Sequence, residues 1–313
     1  RHTRFRNVTG VQTCALPICR PRILDGWGLL VLPLVAFLLV VFVAPLVSIF
    51  ARSFTDPTTG LGNYRDFLGS PVYLDVLGNT FRISGLVTLV TLLLGFPYAY
   101  LMTLAPPLWR NLMLVAVLIP FWTSLLVRTF AWVLMLGDTG VINQLLMSVG
   151  LIDEPAQLIR NQTGVLVGMV QVMLPYAVLP MYATMRQIDR RLVQAAEGLG
   201  ARPISAFWRV YAPLTAPGVA ASCLLVFISS IGFYVTPALL GGPKDMMIGE
   251  LIVQQLSAVL RWGFAAALAV ILLLVTAALL LLVSRIVNIG KFMGDRKSTR
   301  LNSSHVSESR MPS

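Results

Sequence analysis

This sequence predicts an all-α membrane protein with about six transmembrane helices, and three observations support that fold class. The 313 residues are 57% hydrophobic and only 12% charged, which is far more apolar than ordinary soluble domains. The apolar residues lie in long blocks rather than in the stripes of amphipathic helices. The short alternating segments of a membrane β-barrel are missing from the sequence. Helices and closed barrels are the structures that pair all backbone polar groups within lipid, so the helical class remains.

Six apolar runs are long enough to cross a hydrocarbon core of about 30 Å, which takes roughly 20 helical residues. They lie near 27–50, 83–105, 112–136, 163–185, 217–240 and 264–287. Between the first two runs, residues 53–78 are rich in Gly, Pro, Asp and Tyr, which predicts short surface helices and turns. Residues 106–110 predict a tight turn between the second and third runs.

The two ends of the sequence differ in kind from the rest. Residues 8–18 read VTGVQTCALPI and residues 295–305 read DRKSTRLNSSH, and both resemble translated sequencing-library adapters. We therefore exclude 1–19 and 295–313 as artefacts and treat 20–294 as the native membrane domain. The exclusion removes both histidines and leaves Cys223 as the remaining cysteine. A histidine-based triad, a disulfide framework and a metal-ligand cluster are thereby excluded for 20–294.

The distribution of positive charge predicts the orientation in the membrane. Removing the seven Lys or Arg and two Asp or Glu of the excluded ends lowers the formal net charge from +11 to +6. In so apolar a chain this excess indicates cytoplasmic loops, which retain Lys and Arg, rather than a nucleic-acid partner. Five arginines lie between the fourth and fifth runs, whereas the loops of the opposite side mix basic residues with eight acidic ones. We predict that both termini are cytoplasmic.

The insert between the fourth and fifth runs is the most informative segment of the chain. Residues 194–218 read QAAEGLGARPISAFWRVYAPLTAPG and predict short helices at the cytoplasmic face. Small residues at 195 and 196 allow close helix approach, and Gly200 permits a turn that ends the first helix. We expect Pro213, Pro217 and Gly218 to break the interfacial helix before the fifth run.

The spacing within this insert resembles the signature of permease subunits of ATP-binding-cassette importers. That signature reads E-A-A, then Gly four positions after the second Ala, and ends in I-x-L-P. Here Gln194 replaces the family Glu, which keeps length and hydrogen bonding but loses the charge that Glu197 can partly supply. The resemblance implies a cytoplasmic coupling helix within 188–218 that docks on an ATPase. The implied ATPase-coupling residues are Gln194, Ala195, Ala196, Glu197, Gly200, Ala201, Val210 and Pro213.

Four further blocks extend the resemblance over most of 27–290 and indicate which kind of importer permease the chain resembles. They are NYRDFL (63–68), PFWTSLLVRTFAW (120–132), GVINQLL (140–146) and FYVTPALLGGPKDMMIGELI (233–252). These blocks look like the first permease subunit of spermidine/putrescine-type importers, and ferric-iron and other small-solute importers share parts of them. The resemblance implies a type I importer permease fold in a bacterial inner membrane. It also implies three kinds of partner: a second permease subunit, two ATPase subunits and an external solute-binding protein.

The sequence contains no phosphate-binding motif, since GGPKD at 241–245 lacks the G-x-x-x-x-G-K-[ST] order and predicts only a tight turn. We therefore expect the chain to bind no cofactor and to be no enzyme. The resemblance implies that ATP and Mg are bound by the partner ATPase subunits.

A polyamine is a chain of ammonium groups, for which carboxylates or aromatic faces are the natural ligands. No Asp or Glu lies in the middle of a predicted run, so the substrate-path candidates are Phe121, Trp122, Arg128, Trp132, Phe233 and Tyr234. Aromatic residues in such runs more often pack or anchor at the interface. Arg128 has two interpretations, a role in the pathway or a structural one near the outer end of its run.

A second class of function stays open at this point. An ion-coupled secondary carrier needs no ATPase and typically has discontinuous helices with ionisable residues at the membrane midplane. The predicted runs lack such residues and the insert carries the docking signature, which favours the importer. A membrane enzyme is disfavoured because no nucleophile, base or metal constellation is evident.

Overall fold

A computed structural model describes residues 26–286, with side chains over 32–281. The excluded ends 1–19 and 295–313, the domain limits at 20 and 294 and both termini lie outside the described residues. Within that range the regular elements are helices, as predicted. Six helical stretches are long and apolar enough to cross a membrane. They are Leu32–Thr55, Pro71–Leu104, Leu125–Ser148, Gln162–Met185, Pro203–Ile231 and Trp262–Leu281.

The helices follow one another with short connections. In chain order they are α1 (Gly26–Thr55), α2 (Gly62–Gly69), α3 (Pro71–Leu104), α4 (Pro107–Trp122), α5 (Leu125–Leu136), α6 (Val141–Ser148), α7 (Gln162–Met185), α8 (Arg191–Gly198), α9 (Pro203–Ala206), a π segment (Phe207–Tyr211), α10 (Ala212–Ile231), α11 (Val235–Leu240), α12 (Ile248–Ser257) and α13 (Trp262–Ile286).

The chain divides between Ile49 and Phe50 into two units. The first unit contains most of α1, which stays helical through Pro33 and Pro45. Its Ser48 hydroxyl donates to the Ala44 carbonyl at 2.8 Å, the kind of local bond that helps a helix in lipid keep its backbone groups paired. The second unit contains the helices from α2 onwards.

The core of the second unit is formed where α3, α7 and α10 pack together. Its buried side chains include a run of methionines on α7, Met169, Met173, Met181 and Met185. Small residues bring the backbones close, as is usual in membrane helix pairs. A Cβ added at Gly95 of α3 would lie 3.3 Å from the Ala177 side chain of α7. One added at Gly218 of α10 would lie 2.6 Å from the Thr184 hydroxyl oxygen.

The third predicted run, 112–136, is not one continuous helix, and that prediction was wrong. It is divided at Thr123 and Ser124, which adopt extended conformations with ψ of 141° and 135°. Pro120 lies in the last turn of α4, where it cannot donate a backbone hydrogen bond. The guanidinium of Arg128 donates to the freed Thr123 carbonyl at 3.3 Å. This bond supplies a partner that a broken helix otherwise lacks.

The fifth predicted run was wrong at both ends. The helix stops at Ile231 rather than near 240, and α11 follows after a short break. At its start Pro213, Pro217 and Gly218 do not break it, because the helical stretch is continuous over Pro203–Ile231. A π segment precedes Pro213: the Ala212 N–H bonds the Phe207 carbonyl, five residues back. The wider turn gives room for a proline ring in the first turn of α10.

The N-terminal end of α3 is tied to the segment that precedes α12. Asn79 donates to the Lys244 and Met246 carbonyls at 3.2 and 3.1 Å, and Thr80 accepts from the Ile248 N–H at 2.9 Å. The turn predicted at 241–245 is present, closed by a 2.9 Å bond from the Asp245 N–H to the Gly242 carbonyl. The insert lies at the other end of α3.

Candidate functional site

The first helix of the insert ends in a turn that only glycine adopts readily. Gly200 has φ of +93°, in the left-handed region that side chains disfavour. Its N–H bonds the Glu197 carbonyl at 2.9 Å, and the Ala201 N–H bonds the Ala196 carbonyl at 3.1 Å. This pair of bonds is the Schellman arrangement. The predicted helix-ending turn at Gly200 is therefore confirmed as local structure.

The predicted coupling residues fall into two groups by exposure. Gln194, Ala195, Glu197, Gly200 and Pro213 are exposed, whereas Ala196, Ala201 and Val210 are partly buried. Most of the set is therefore accessible on α8 and its flanking turn, and the assigned role remains a prediction.

Three large apolar side chains of the insert were missed by the sequence reasoning. Leu199 is 91% exposed, Ile204 is 75% exposed and Trp208 is 67% exposed. The last two are four residues apart, a spacing that favours one helix side. The available signal was their presence in a segment that is otherwise polar. Exposed apolar groups of this kind mark a surface that another protein or a membrane covers.

The insert is attached to α3 through aromatic and polar contacts. Phe207 of the π segment meets Tyr100 edge to face at a centroid distance of 5.5 Å, and Tyr211 meets the same ring at 5.3 Å. The Arg190 guanidinium, just before α8, donates to the Thr103 carbonyl at the end of α3. The insert is thus fixed to a transmembrane helix at two points.

The substrate-path candidates Phe121 and Arg128 share one small cavity. Its volume is about 40 Å³, and its wall includes Tyr176 of α7, whose ring meets Phe121 edge to face at 5.4 Å. Arg128 also bonds the Thr123 carbonyl, so its structural interpretation has a direct contact in its favour.

The other four candidates do not line that cavity. Trp132 donates from Nε1 to the Gln171 side-chain oxygen at 3.0 Å, and Trp122 is 78% exposed beside the α4–α5 break. Phe233 packs against the core and Tyr234 is 43% exposed, both in the break after α10. The six candidates therefore occupy several places within the described part of the chain.

Glu250 is one of the eight acidic residues that the sequence analysis places in the loops opposite the insert, and the structure places it in the first turn of α12, partly buried. Burial raises the pKa of its carboxyl above the ordinary value, and a contact with the Met247 backbone N–H lowers it in part. The neighbouring Gly249 lies against the break after α10, since a Cβ there would be 3.2 Å from that of Tyr234. The first turn of α12 therefore lies close to the segment that carries two aromatic candidates, which the spacing along the chain could not reveal.

Comparison with known proteins decides the family. Residues 86–289 match the model of binding-protein-dependent transport system inner membrane components. The chain belongs to this family. It is 34% identical over 248 residues to the spermidine/putrescine transport system permease protein PotB of Haemophilus influenzae, an alignment that covers 79% of this chain and 86% of the relative. The Escherichia coli K12 PotB is 34% identical over 220 residues, with 70% and 80% covered.

A solved structure agrees on the fold. A chain of a bacterial transporter that imports the acidic polysaccharide alginate superposes with a TM-score of 0.65 at 18% identity, covering 83% of this chain and 94% of that one. The predicted importer permease fold and family are thereby confirmed, and the ion-coupled carrier is disfavoured. The protein is a multi-pass inner-membrane transport component.

Proposed function

We propose that this chain is one of two transmembrane subunits of an importer for polyamines such as spermidine and putrescine, driven by separate ATPase subunits. The insert carries the proposal: α8 is exposed, ends in a fixed glycine turn and is followed by three uncovered apolar side chains. The polyamine assignment is supported by 34% identity to two spermidine/putrescine permeases over most of the chain.

The insert is connected to a transmembrane helix without an intervening loop. α9, the π segment and α10 form one helical stretch, Pro203–Ile231, so displacement at its start moves a transmembrane helix without an intervening loop. That stretch packs on α7, where Gly218 and Thr184 are in close contact. Closely packed helices move as units rather than deform, which makes this stretch suited to carry a conformational change.

The proposed complex divides the work among its members. The ATPase subunits bind ATP and Mg, a second permease completes the pathway, and an extracytoplasmic binding protein delivers the substrate. The described pathway candidates include five aromatic side chains, which offer faces to a cation. Weak cation binding by such groups is consistent with an importer in which the binding protein supplies selectivity.

The experiment is reconstitution of the complex in liposomes, with measurement of polyamine uptake and of ATP hydrolysis stimulated by the loaded binding protein. We expect Gly200→Val to abolish uptake and stimulation while leaving membrane insertion intact, because a β-branched residue strains a φ of +93°. Gly198→Val is the matched control: it lies two residues earlier in ordinary helix, with open space around its Cβ. Equal uptake by both variants, or uptake without any ATPase, would contradict the proposal.

A further inference from the structure

A cavity of about 350 Å³ lies between the C-terminal ends of α3 and α7 and the insert. We call it the arginine cavity, since Arg110, Arg186 and Arg190 line it against a single carboxylate, Glu197. Among residues 32–281 the only ion pair joins Arg261 to Asp66, near the opposite end of α3. The three arginines are therefore not neutralised by acidic side chains within the described chain.

The arginine cavity also contains a buried tyrosine hydroxyl. Tyr211 is only 7% exposed, and the Thr103 hydroxyl lies beside its own. Thr103 donates to the Tyr100 carbonyl at 2.7 Å, which leaves the Thr103 oxygen able to accept from Tyr211. The wall that carries the arginines therefore also carries a pair of neighbouring hydroxyls.

The remaining wall mixes apolar and polar side chains and adjoins the membrane boundary. Phe207 and Leu104 are among its apolar members, and Thr103 and Gln194 are among its polar ones. Just before Arg110, Leu108 is 77% exposed and Trp109 is 60% exposed. Exposed tryptophan at the end of a transmembrane helix is typical of the headgroup region. The apolar part of the wall can contact the glycerol and upper acyl carbons of a lipid. A free inorganic anion has no apolar atoms to make such contacts.

We propose that the arginine cavity binds the phosphate diester of an anionic phospholipid and so fastens the insert to the ends of α3 and α7. Guanidinium groups suit this ligand because their planar fork donates two parallel hydrogen bonds to phosphate oxygens. The inference rests on the proposed function, because it requires the insert to face the cytoplasmic leaflet, where basic pockets between helices meet anionic lipids. The bound lipid stabilises the position from which the insert meets the ATPase.

The test uses the importer complex purified with its partner subunits, exchanged into either phosphatidylglycerol or phosphatidylcholine, with retained lipid counted by native mass spectrometry. We expect selective retention of phosphatidylglycerol by the wild-type complex. Arg110→Gln and Arg186→Gln should each lower it about fivefold, the effect of removing one arginine near an anionic headgroup. Arg190 is left intact because it also bonds the Thr103 carbonyl.

Two controls sharpen the test. Arg191→Gln removes an exposed arginine of the same segment that does not line the cavity, so retention should not change. Arg186→Lys keeps the charge and should retain most of the lipid, which separates binding from misfolding. If excess inorganic phosphate does not displace the bound phosphatidylglycerol, the result supports a lipid site.

Several results would overturn the inference. Equal retention of both lipids, or equal retention by Arg186→Gln and Arg191→Gln, contradicts a specific headgroup site. Replacement of the lipid by inorganic phosphate assigns the cavity to a free anion. If the Arg186→Gln complex loses the ATPase and the other variants keep it, the cavity is a contact site for the ATPase instead. Lipid retention does not depend on transport, so a complex that retains phosphatidylglycerol but imports no polyamine contradicts only the proposed function.

Discussion

Two proline-bearing stretches of this protein behave in opposite ways. Around Pro120 the chain leaves the helix at Thr123 and Ser124, so that α4 and α5 are separate. Around Pro213 and Pro217 it remains helical over Pro203–Ile231. Proline alone therefore does not determine where a membrane helix breaks. The two stretches differ in the backbone bonds beside the proline: the Arg128 guanidinium bonds the Thr123 carbonyl in the first, and five-residue bonding in the π segment precedes Pro213 in the second.

The largest expected effect concerns the packing of the continuous stretch. Gly218→Val should destabilise the protein by about 1–3 kcal/mol or prevent folding, because its Cβ would lie 2.7 Å from that of Thr184. Thermal unfolding of the purified protein in detergent measures this. Gly85→Val on α3 is the control, since its Cβ meets nothing within 4 Å. Equal stability of both variants would show that the close contact on α7 does not exist.

An intermediate effect is expected at the broken stretch. Arg128→Met should cost roughly 0.5–1.5 kcal/mol, the usual net contribution of one hydrogen bond such as that to the Thr123 carbonyl. Thermal unfolding again gives the change, and polyamine uptake by the folded fraction separates structure from function. Full uptake at reduced stability supports the structural interpretation of Arg128. Lost uptake at unchanged stability supports a role of Arg128 in the pathway and contradicts the structural interpretation.

A smaller difference is expected when the prolines are exchanged for alanine. Pro120→Ala should change stability little, because the extended residues after it and the Arg128 bond keep the break in place. Pro213→Ala should also be tolerated, because the π segment accommodates the turn with or without a ring. Cysteine cross-linking between positions 119 and 125, with Pro120 present and with Pro120→Ala, reports the local geometry. If the helix becomes continuous in Pro120→Ala, then Pro120 itself causes the break between α4 and α5.

The smallest expected effect is a pH dependence at Glu250, in the first turn of α12 beyond the continuous stretch. Its folded-state pKa is raised by burial, so the folded protein binds the proton more tightly than the unfolded chain. Stability is therefore greatest below the ordinary carboxyl pKa and falls as the pH rises through the raised value. Glu250→Gln should remove this component of the pH profile of the melting temperature. An unchanged profile would mean that the carboxyl is effectively solvated.

The coupling turn shows how far sequence reasoning reached. Gly200 was predicted to end a helix from its place after two alanines, and the bond from Ala201 to Ala196 confirms the turn. That prediction succeeded because a Schellman turn involves only neighbouring residues. The break at Thr123 gave no such signal within an apolar run, because its stabilising partner is a side chain that also packs against α7.

The sequence by itself determined the all-helical membrane class, the positions of most spans, the insert and the glycine turn that ends α8. All of these follow from composition and from residues within one or two turns of each other. The tertiary structure alone decided which prolines interrupt a helix, where Glu250 lies and how Arg190 meets Thr103 to help enclose a cavity. Those features depend on pairs such as Gly218 and Thr184. Their proximity is set by the packing of helices that are distant in the chain, which no local pattern encodes.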